Sequence, residues 1–271
     1  MPAISAKTVM ELRDATNLPM MKCKQALEAT DGDKQAAIEW LRKQGIAAAG
    51  GKFADRETPN GSIAMVLGQG AGVLVQLGCQ TDFVGGNDSF KAFAKELADL
   101  ALATGADSVD ALKAHKLGGL SIDDAIALKI SQVGEKIVLV KVARLAGAQV
   151  TGYNHGGKIA TLVSGTGDIQ KLRQVSLHVA SANPAPIALT KDQVPAEVVA
   201  KEREILLATP DVQGKPEAMR PKIVEGKLGR FFKENVLLEQ EMLLDAEKGE
   251  TVEKYAKRQG VVVTGFARLN V

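Results

Sequence analysis

The sequence predicts three kinds of folding unit in one chain: a small three-helix module, a core of two related α/β subdomains built on antiparallel hairpins, and a projecting helical hairpin. Three observations lead there. Apolar residues recur at helical spacing through residues 1–50, a strand–turn–strand–helix pattern occurs twice after residue 61, and two long charged amphipathic segments fall within 187–234.

In the first unit, Ser5 is placed to cap a helix whose Val9, Leu12 and Thr16 share a face. Pro19 suits the first turn of a second helix, with Met20, Cys23 and Leu27 on one side. Asp33 is the expected cap of a third helix carrying Ala37, Trp40 and Leu41, and Gly45 its expected stop. The stretch "AAAGGKFADRETPNG" is small, charged and rich in Gly and Pro, the composition of a linker.

From residue 61 the period changes to that of strands. "SIAMVL" and "VLVQL", joined by "GQGAG", read as a hairpin. Asp88 or Ser89 is expected to cap the next helix, which places Phe90, Phe93, Leu97 and Leu100 together. Ser121 and Asp124 stand at capping-box spacing before a further helix, and "KIVLVKVARL" is a long strand. The pattern then repeats: "TGYNHGGKIATLVS" is a second hairpin, and Asp168 opens a helix with Ile169, Leu172, Val175 and Val179 on one face. Thr190 and Gln193 match a capping box ahead of Pro195, and a second arm helix spans 222–234. A short helix "TVEKYAKRQG" and a closing strand "VVVTGFARL" follow. The expected units are residues 1–50, a linker at 51–60, subdomain N at 61–147, subdomain C at 148–186 and 235–271, and the arm at 187–234.

Composition narrows the function classes. The 271 residues are 45% hydrophobic, so a core is easily buried. Lys+Arg 34 against Asp+Glu 32, mixed along the chain, gives a net charge of +2 and no dense basic face for direct nucleic-acid binding. Aromatics at 4% supply few base-stacking platforms. Cys23 and Cys79 are expected to be free thiols. The N-terminus lacks the charged and apolar regions of a secretory signal, and no apolar run approaches a membrane span, so a soluble, cytoplasmic protein without membrane contact is expected.

Chemical signatures are equally sparse. "GQGAG" resembles a dinucleotide fingerprint, but Val73, Leu74 and Val75 after it favour a strand where the fingerprint requires a helix. Cys23, Cys79, His115, His155 and His178 have no ligand spacing, so no metal or other cofactor is expected. No nucleophile elbow or carboxylate pair indicates catalysis. His178, within a helix, is expected to be structural or solvated. His155 stands at a loop tip as either a turn-stabilising or a contact residue. Met20 and Met21, about 100° apart on a helix, cannot both face one small core, so one is expected inside and the other near the surface beside Lys24.

"CQTDFVGGND" at 79–88 is the exception. It places Phe83 and Val84 in a connection where polar turn residues are usual. Asp82-Phe83 is either an N-cap acid with a phenyl folded onto the core, or a wedge held outward for a partner. The permissive backbone of Gly85-Gly86 favours the wedge.

These residues together resemble the bacterial elongation factor Ts family along essentially the whole chain. "ELRDATNLPMMKCKQALEATDGDKQAAIEWLRKQG" is similar to the family's ubiquitin-associated-like domain. "CQTDFVGGNDSFKAFA" matches its threonine-aspartate-phenylalanine-valine signature, and "YNHGGKIATLVS", "GKPEAM", "KIVEGKLGRFF" and "LLEQ" follow in the family's order. The departures are Asn17-Leu18-Pro19 in the first interhelix turn, Gly50-Gly51 in place of lysines, Gly85-Gly86, and Pro221, which should make the arm helix start later or kink.

The resemblance implies an α+β fold, no catalytic activity, no cofactor, and a protein partner, the GTPase elongation factor Tu, whose GDP release the family promotes. It implies that Thr81, Asp82, Phe83 and Val84 act near the partner's magnesium and help dislodge it. It further implies contacts from Leu12, Met20, Met21 and Lys24 in the first module and from Val133, Gly134 and His155 in the core. A homodimer or a two-plus-two complex with the GTPase is the accompanying assembly. The competing readings are a peptide-binding chaperone or adaptor using the three-helix module, and a small-molecule enzyme on the paired α/β units.

Overall fold

The computed structural model describes residues 4–16, 18–50 and 55–271, the side chains of 46–50 aside. Asn17 and residues 51–54 of the expected linker lie outside the described residues. Three helices come first: α1 (Ala6–Thr16), α2 (Met20–Ala29) and α3 (Lys34–Gly50). Ser5 caps α1 through the Thr8 N–H, and Asp33 caps α3 through the N–H groups of Gln35 and Ala36. Val9, Leu12, Leu18, Cys23, Ala26, Leu27, Ala37 and Leu41 form their shared core. Pro19 sits one residue before α2, at its N-cap.

Gly45 does not end α3. A methyl group there would lie 2.4 Å from the Ala127 carbonyl oxygen, so this glycine is the point where α3 crosses a core helix at backbone distance. Gly45→Ala is therefore expected to pry the bundle off the core at a cost of about 1–3 kcal/mol, typical of overpacking. Small-angle scattering should show a larger particle with unchanged helix content by circular dichroism.

The core comprises β1 (Asn60–Gly68), β2 (Ala71–Cys79), α4 (Asp82–Gly86), α5 (Asp88–Thr104), α6 (Val109–Lys113), β3 (Lys116–Leu117), β4 (Leu120–Ser121), α7 (Ile122–Val133) and β5 (Ile137–Ala146). Then follow β6 (Gln149–His155), β7 (Ile159–Thr166), α8 (Ile169–Ser181), the arm helices α9 (Ala196–Ala208), α10 (Pro210–Gln213) and α11 (Arg220–Asn235), then α12 (Val252–Arg258) and β8 (Val262–Asn270). Two antiparallel sheets have the same plan: a hairpin, intervening helices, then a third strand beside the second, in the orders β1-β2-β5 and β6-β7-β8. Each has a register shift between its second and third strands, at Gln76/Leu77 and Ser164/Gly165. The mixed α+β class and the internal repeat expected from sequence are both present.

The sheets pack face to face. Ile63 and Leu74 of the first meet Val150, Ala160, Leu162 and Leu269 of the second. Alternate residues of β2, namely Val73, Val75, Leu77 and Cys79, point the other way onto α5 and α7. β2 is thus covered on both faces, which explains its nearly unbroken apolar run. On the far side α8 and α12 cover the second sheet through Leu172, Val175, Val179, Val252 and Tyr255.

Several caps differ from expectation. Asn87, not Asp88 or Ser89, caps α5 by accepting from the Ser89 N–H, because it also closes α4 and so already has the extended backbone a cap requires. Thr190 and Gln193 bound only a single 3-10 turn, and Gln193 accepts from the Leu189 N–H. Val194, constrained by the following proline, is extended, and α9 starts at Ala196. Pro221 lies in the first turn of α11, where its missing N–H costs nothing.

The arm packs α9 against α11 through Val199, Leu206, Val224, Leu228 and Phe232, with Val212 of α10 closing the tip. His178 of α8 fixes its base. The ring is buried, with Nε2 3.0 Å from Gln240 Oε1 and Nδ1 accepting from the Leu243 N–H at 3.3 Å. Gln240 in turn donates to the carbonyls of Pro184 and Glu234. Accepting from one N–H while donating to an amide oxygen requires a neutral ring, and burial holds its pKa below the ordinary 6.5.

The unfolded chain therefore binds this proton first as pH falls, so stability declines as pH drops below about 6.5. Glu250, held at about 2 chiefly by Arg258, adds a separate loss as pH falls from 4.5 toward 2. Melting temperature against pH should show both descents, and His178→Asn should remove the first alone.

Candidate functional site

The signature segment is a single helical turn, not a loop. Thr81 is its N-cap, with extended backbone and an Oγ1 that accepts from the Val84 N–H at 3.3 Å. Asp82 therefore occupies the first helical position instead of the cap. Val84 packs against the core under α5, and Gly85 is buried against β1, where a methyl group would lie 2.9 Å from the Gly61 carbonyl oxygen. With Val84 and Gly85 turned inward, Phe83 must point away. It is 87% exposed, the most exposed large apolar side chain among the described residues. Of the two readings left by the sequence, the outward phenyl is the one found.

Thr81 is held at every polar atom. Its hydroxyl donates to Glu135 Oε1 at 2.8 Å and its N–H to Glu135 Oε2 at 3.1 Å. Its carbonyl accepts from the Gly85 N–H and from the buried Cys79 thiol. Burial and the Glu135 charge raise that thiol's pKa to about 11, so it stays a donor. Glu135 was not singled out from sequence. The available signal was its place directly after Gly134, which ends α7 in the left-handed conformation at φ +75° and turns the chain toward Thr81.

The other candidates are brought together through two elements. Val133 and Gly134 form the end of α7, adjoining Glu135. The start of α2 lies against the same end: Lys22 Nζ donates to the Ser131 carbonyl at 2.9 Å, and Gln132 Nε2 to the Thr16 carbonyl at 2.6 Å. The β6–β7 turn carrying His155 sits on the start of β1, where Ile63 N–H donates to the Gly157 carbonyl and Lys158 to that of Gly61. This is the strand end on which Gly85 rests. His155 is exposed, with its Nδ1 2.8 Å from the Tyr153 hydroxyl.

In the helical module two expectations change. Met20 and Met21 are both exposed, at 45% and 64%, because Cys23, Ala26 and Leu27 already fill the inward face of α2. Lys24 is exposed and pairs with Glu28. Leu12, expected at a contact surface, is 1% exposed and belongs to the bundle core. Any influence it has on a partner passes through the position of α1.

The site thus combines exposed apolar side chains, Met20, Met21 and Phe83, with a firmly seated backbone at the Phe83 turn. It has the form of a docking surface. Among the described residues no three His, Cys, Asp or Glu side chains are grouped to hold a metal ion, and Cys23 and Cys79 are free and buried. No helix among them is long and apolar enough to cross a membrane.

Comparison with known proteins places this surface in context. The family described as Elongation factor TS matches residues 80–271, beginning one residue before Thr81. Elongation factor Ts of Ruegeria pomeroyi is 40% identical over 276 residues, covering 99% of this chain and 92% of that protein. The chain belongs to the elongation factor Ts family. Elongation factor Ts of Vibrio cholerae is 38% identical over 269 residues, and that of Halorhodospira halophila 38% over 273, each covering 99% of this chain and 92% of the relative. The three N-terminal helices lie outside the segment matched by the family description but inside the alignments to these elongation factor Ts relatives.

Proposed function

We propose that this chain is a translation elongation factor that binds elongation factor Tu carrying GDP and promotes GDP release, with dislocation of magnesium, so that GTP can rebind. Family membership supports the reading, and one observation carries it in the molecule: an 87% exposed Phe83 on a turn whose backbone is tied down at Thr81 and Gly85. The chain acts without catalytic chemistry or cofactor of its own, in the cytoplasm. The physics is linkage. A factor that speeds nucleotide release must stabilise the nucleotide-free GTPase more than the bound one, and nucleotide must weaken the factor reciprocally. An inserted phenyl meets that requirement by occupying space that the GTPase closes around nucleotide and magnesium.

In this reading Thr81 to Val84 approach the magnesium and phosphate region, with Phe83 as the wedge. Met20, Met21 and Lys24 hold the GTPase through the first module, which is ubiquitin-associated-like, and Val133, Gly134 and His155 complete the surface. Leu12 supports this module from inside. The proposed domains are residues 1–50, a linker at 51–60, subdomain N at 61–147, subdomain C at 148–186 with 235–271, and the arm at 187–234. Assembly as a homodimer or a two-plus-two complex with the GTPase belongs to the same proposal and rests on the resemblance alone.

The test is release of labelled GDP from purified elongation factor Tu with and without this protein, accompanied by light scattering of the nucleotide-free complex. A large acceleration is expected, and an unchanged release rate would refute the function.

A further inference from the structure

We propose that Glu135 is the positioning residue of the exchange surface: it fixes the Phe83 wedge in its outward pose and ties that pose to the end of α7. The inference rests on the exchange reading above for its functional consequence, but its structural part stands alone.

Phe83, at 87% exposure, gains almost no orientation from packing of its own ring. Its direction is set by the backbone of the turn that carries it. That turn has two anchors. One is the seat of Gly85 on the Gly61 carbonyl. The other is Thr81, whose N–H and hydroxyl both donate to the Glu135 carboxylate, at 3.1 and 2.8 Å.

An ionised carboxylate only accepts, so it dictates the direction of the Thr81 hydroxyl proton. With that proton committed to Glu135, a lone pair on Oγ1 is left to accept from the Val84 N–H at 3.3 Å. The cap geometry of the turn is thus chosen by Glu135, through hydrogen bonds of the stronger, charge-assisted kind. Cross-links this far apart in sequence hold the turn where its own five residues could not.

The position of Glu135 extends the consequence. It follows Gly134, the left-handed end of α7. The side of α7 receives the helical module through the Gly45–Ala127 crossing, the Arg42–Asp124 ion pair and the Lys22 and Gln132 hydrogen bonds. One rigid helix therefore connects the exposed methionines at one end of the surface to the wedge at the other. A partner gripped by Met20 and Met21 meets Phe83 at a defined offset.

Glu135→Ala and Glu135→Gln test this. The amide keeps one acceptor oxygen but puts an NH2 group where the second oxygen met a Thr81 donor, so it should behave intermediately and provides a milder variant if the alanine change unfolds the protein. In the free protein, hydrogen exchange at the Val84 and Gly85 amides should quicken on the order of ten-fold in the alanine variant, with the α5 amides unchanged. Unchanged exchange at Val84 and Gly85 would overturn the inference whatever the function.

With elongation factor Tu, the maximal rate of GDP release should fall on the order of ten-fold. The concentration giving half-maximal stimulation should change little. In a Phe83→Ala background the Glu135 change should add nothing further, because it acts through Phe83. A second, additive loss there, or a change confined to half-saturation, would reject the positioning role. If the wild type itself fails to release GDP while the amide exchange responds as expected, the exchange function is refuted and the clamp is retained.

Discussion

Phe83→Ala is expected to leave the fold intact and to disable nucleotide exchange. An 87% exposed side chain contributes little to folding, and substitutions at such positions lie within about 0.5 kcal/mol. The same ring buried in a partner is a typical aromatic anchor, worth about 2 kcal/mol or more. That corresponds to a loss of tens-fold in the stability of the exchange complex. Paired thermal unfolding and stopped-flow GDP release on wild type and variant read both quantities. A clear drop in melting temperature with near-normal release would show that the ring serves the fold and that the wedge reading is mistaken.

Phe90→Ala should give the opposite result one helical cap further along the chain. Phe90 is fully buried in the first turn of α5, against Val73, Val75 and Leu77 on the inner face of β2. Truncation removes the transfer free energy of the ring and leaves a cavity, together about 3–5 kcal/mol. Urea unfolding should therefore shift to a much lower midpoint, while each molecule that remains folded stimulates GDP release normally. Selective loss of release without loss of stability would place Phe90 on the docking surface instead.

The contrast between these two phenylalanines marks what was legible in the sequence. Helices and strands were, since the 3.6 and 2.0 periods survive wherever an element has one buried face. The hairpin in "GQGAG" and the helix after Asp168 follow directly. Orientation was less legible where two physical causes leave the same residue. Gly45 at the end of a helical pattern suits a stop as well as a close crossing, and only the Ala127 carbonyl decides between them. Met20 fits the spacing of Cys23 and Leu27 yet stays outside, because at the first position of α2 it projects past the bundle core. Thr190 and Gln193 had the cap spacing, but Pro195 holds Val194 extended and delays the helix to Ala196.

The candidate site divided in the same way. An aspartate–phenylalanine pair shortly before two glycines is unusual enough in a short connection to attract attention on its own. Which way the ring points depended on Gly85 being free of a side chain, so that it could settle against the backbone of Gly61, far upstream. Glu135 carried no periodicity or motif, and its importance arises only when α7 ends beside Thr81. Leu12 shares its buried face with Val9 and Thr16 as the spacing indicated, and only the contact role implied by the resemblance asked for exposure.

The layer between the two sheets bears on how the molecule comes apart. Ile63 and Leu74 belong to one repeat, and Val150, Ala160, Leu162 and Leu269 to the other, so neither half can lose its structure without exposing one apolar face of the other's sheet. The repeats are two in architecture and one in thermodynamics: they should melt in a single transition, with calorimetric and van't Hoff enthalpies agreeing for the core. The arm shares none of that layer and relies on the small clusters around Val224 and Val236. It can open while the core persists, so a protease should nick the arm well before the sheets yield.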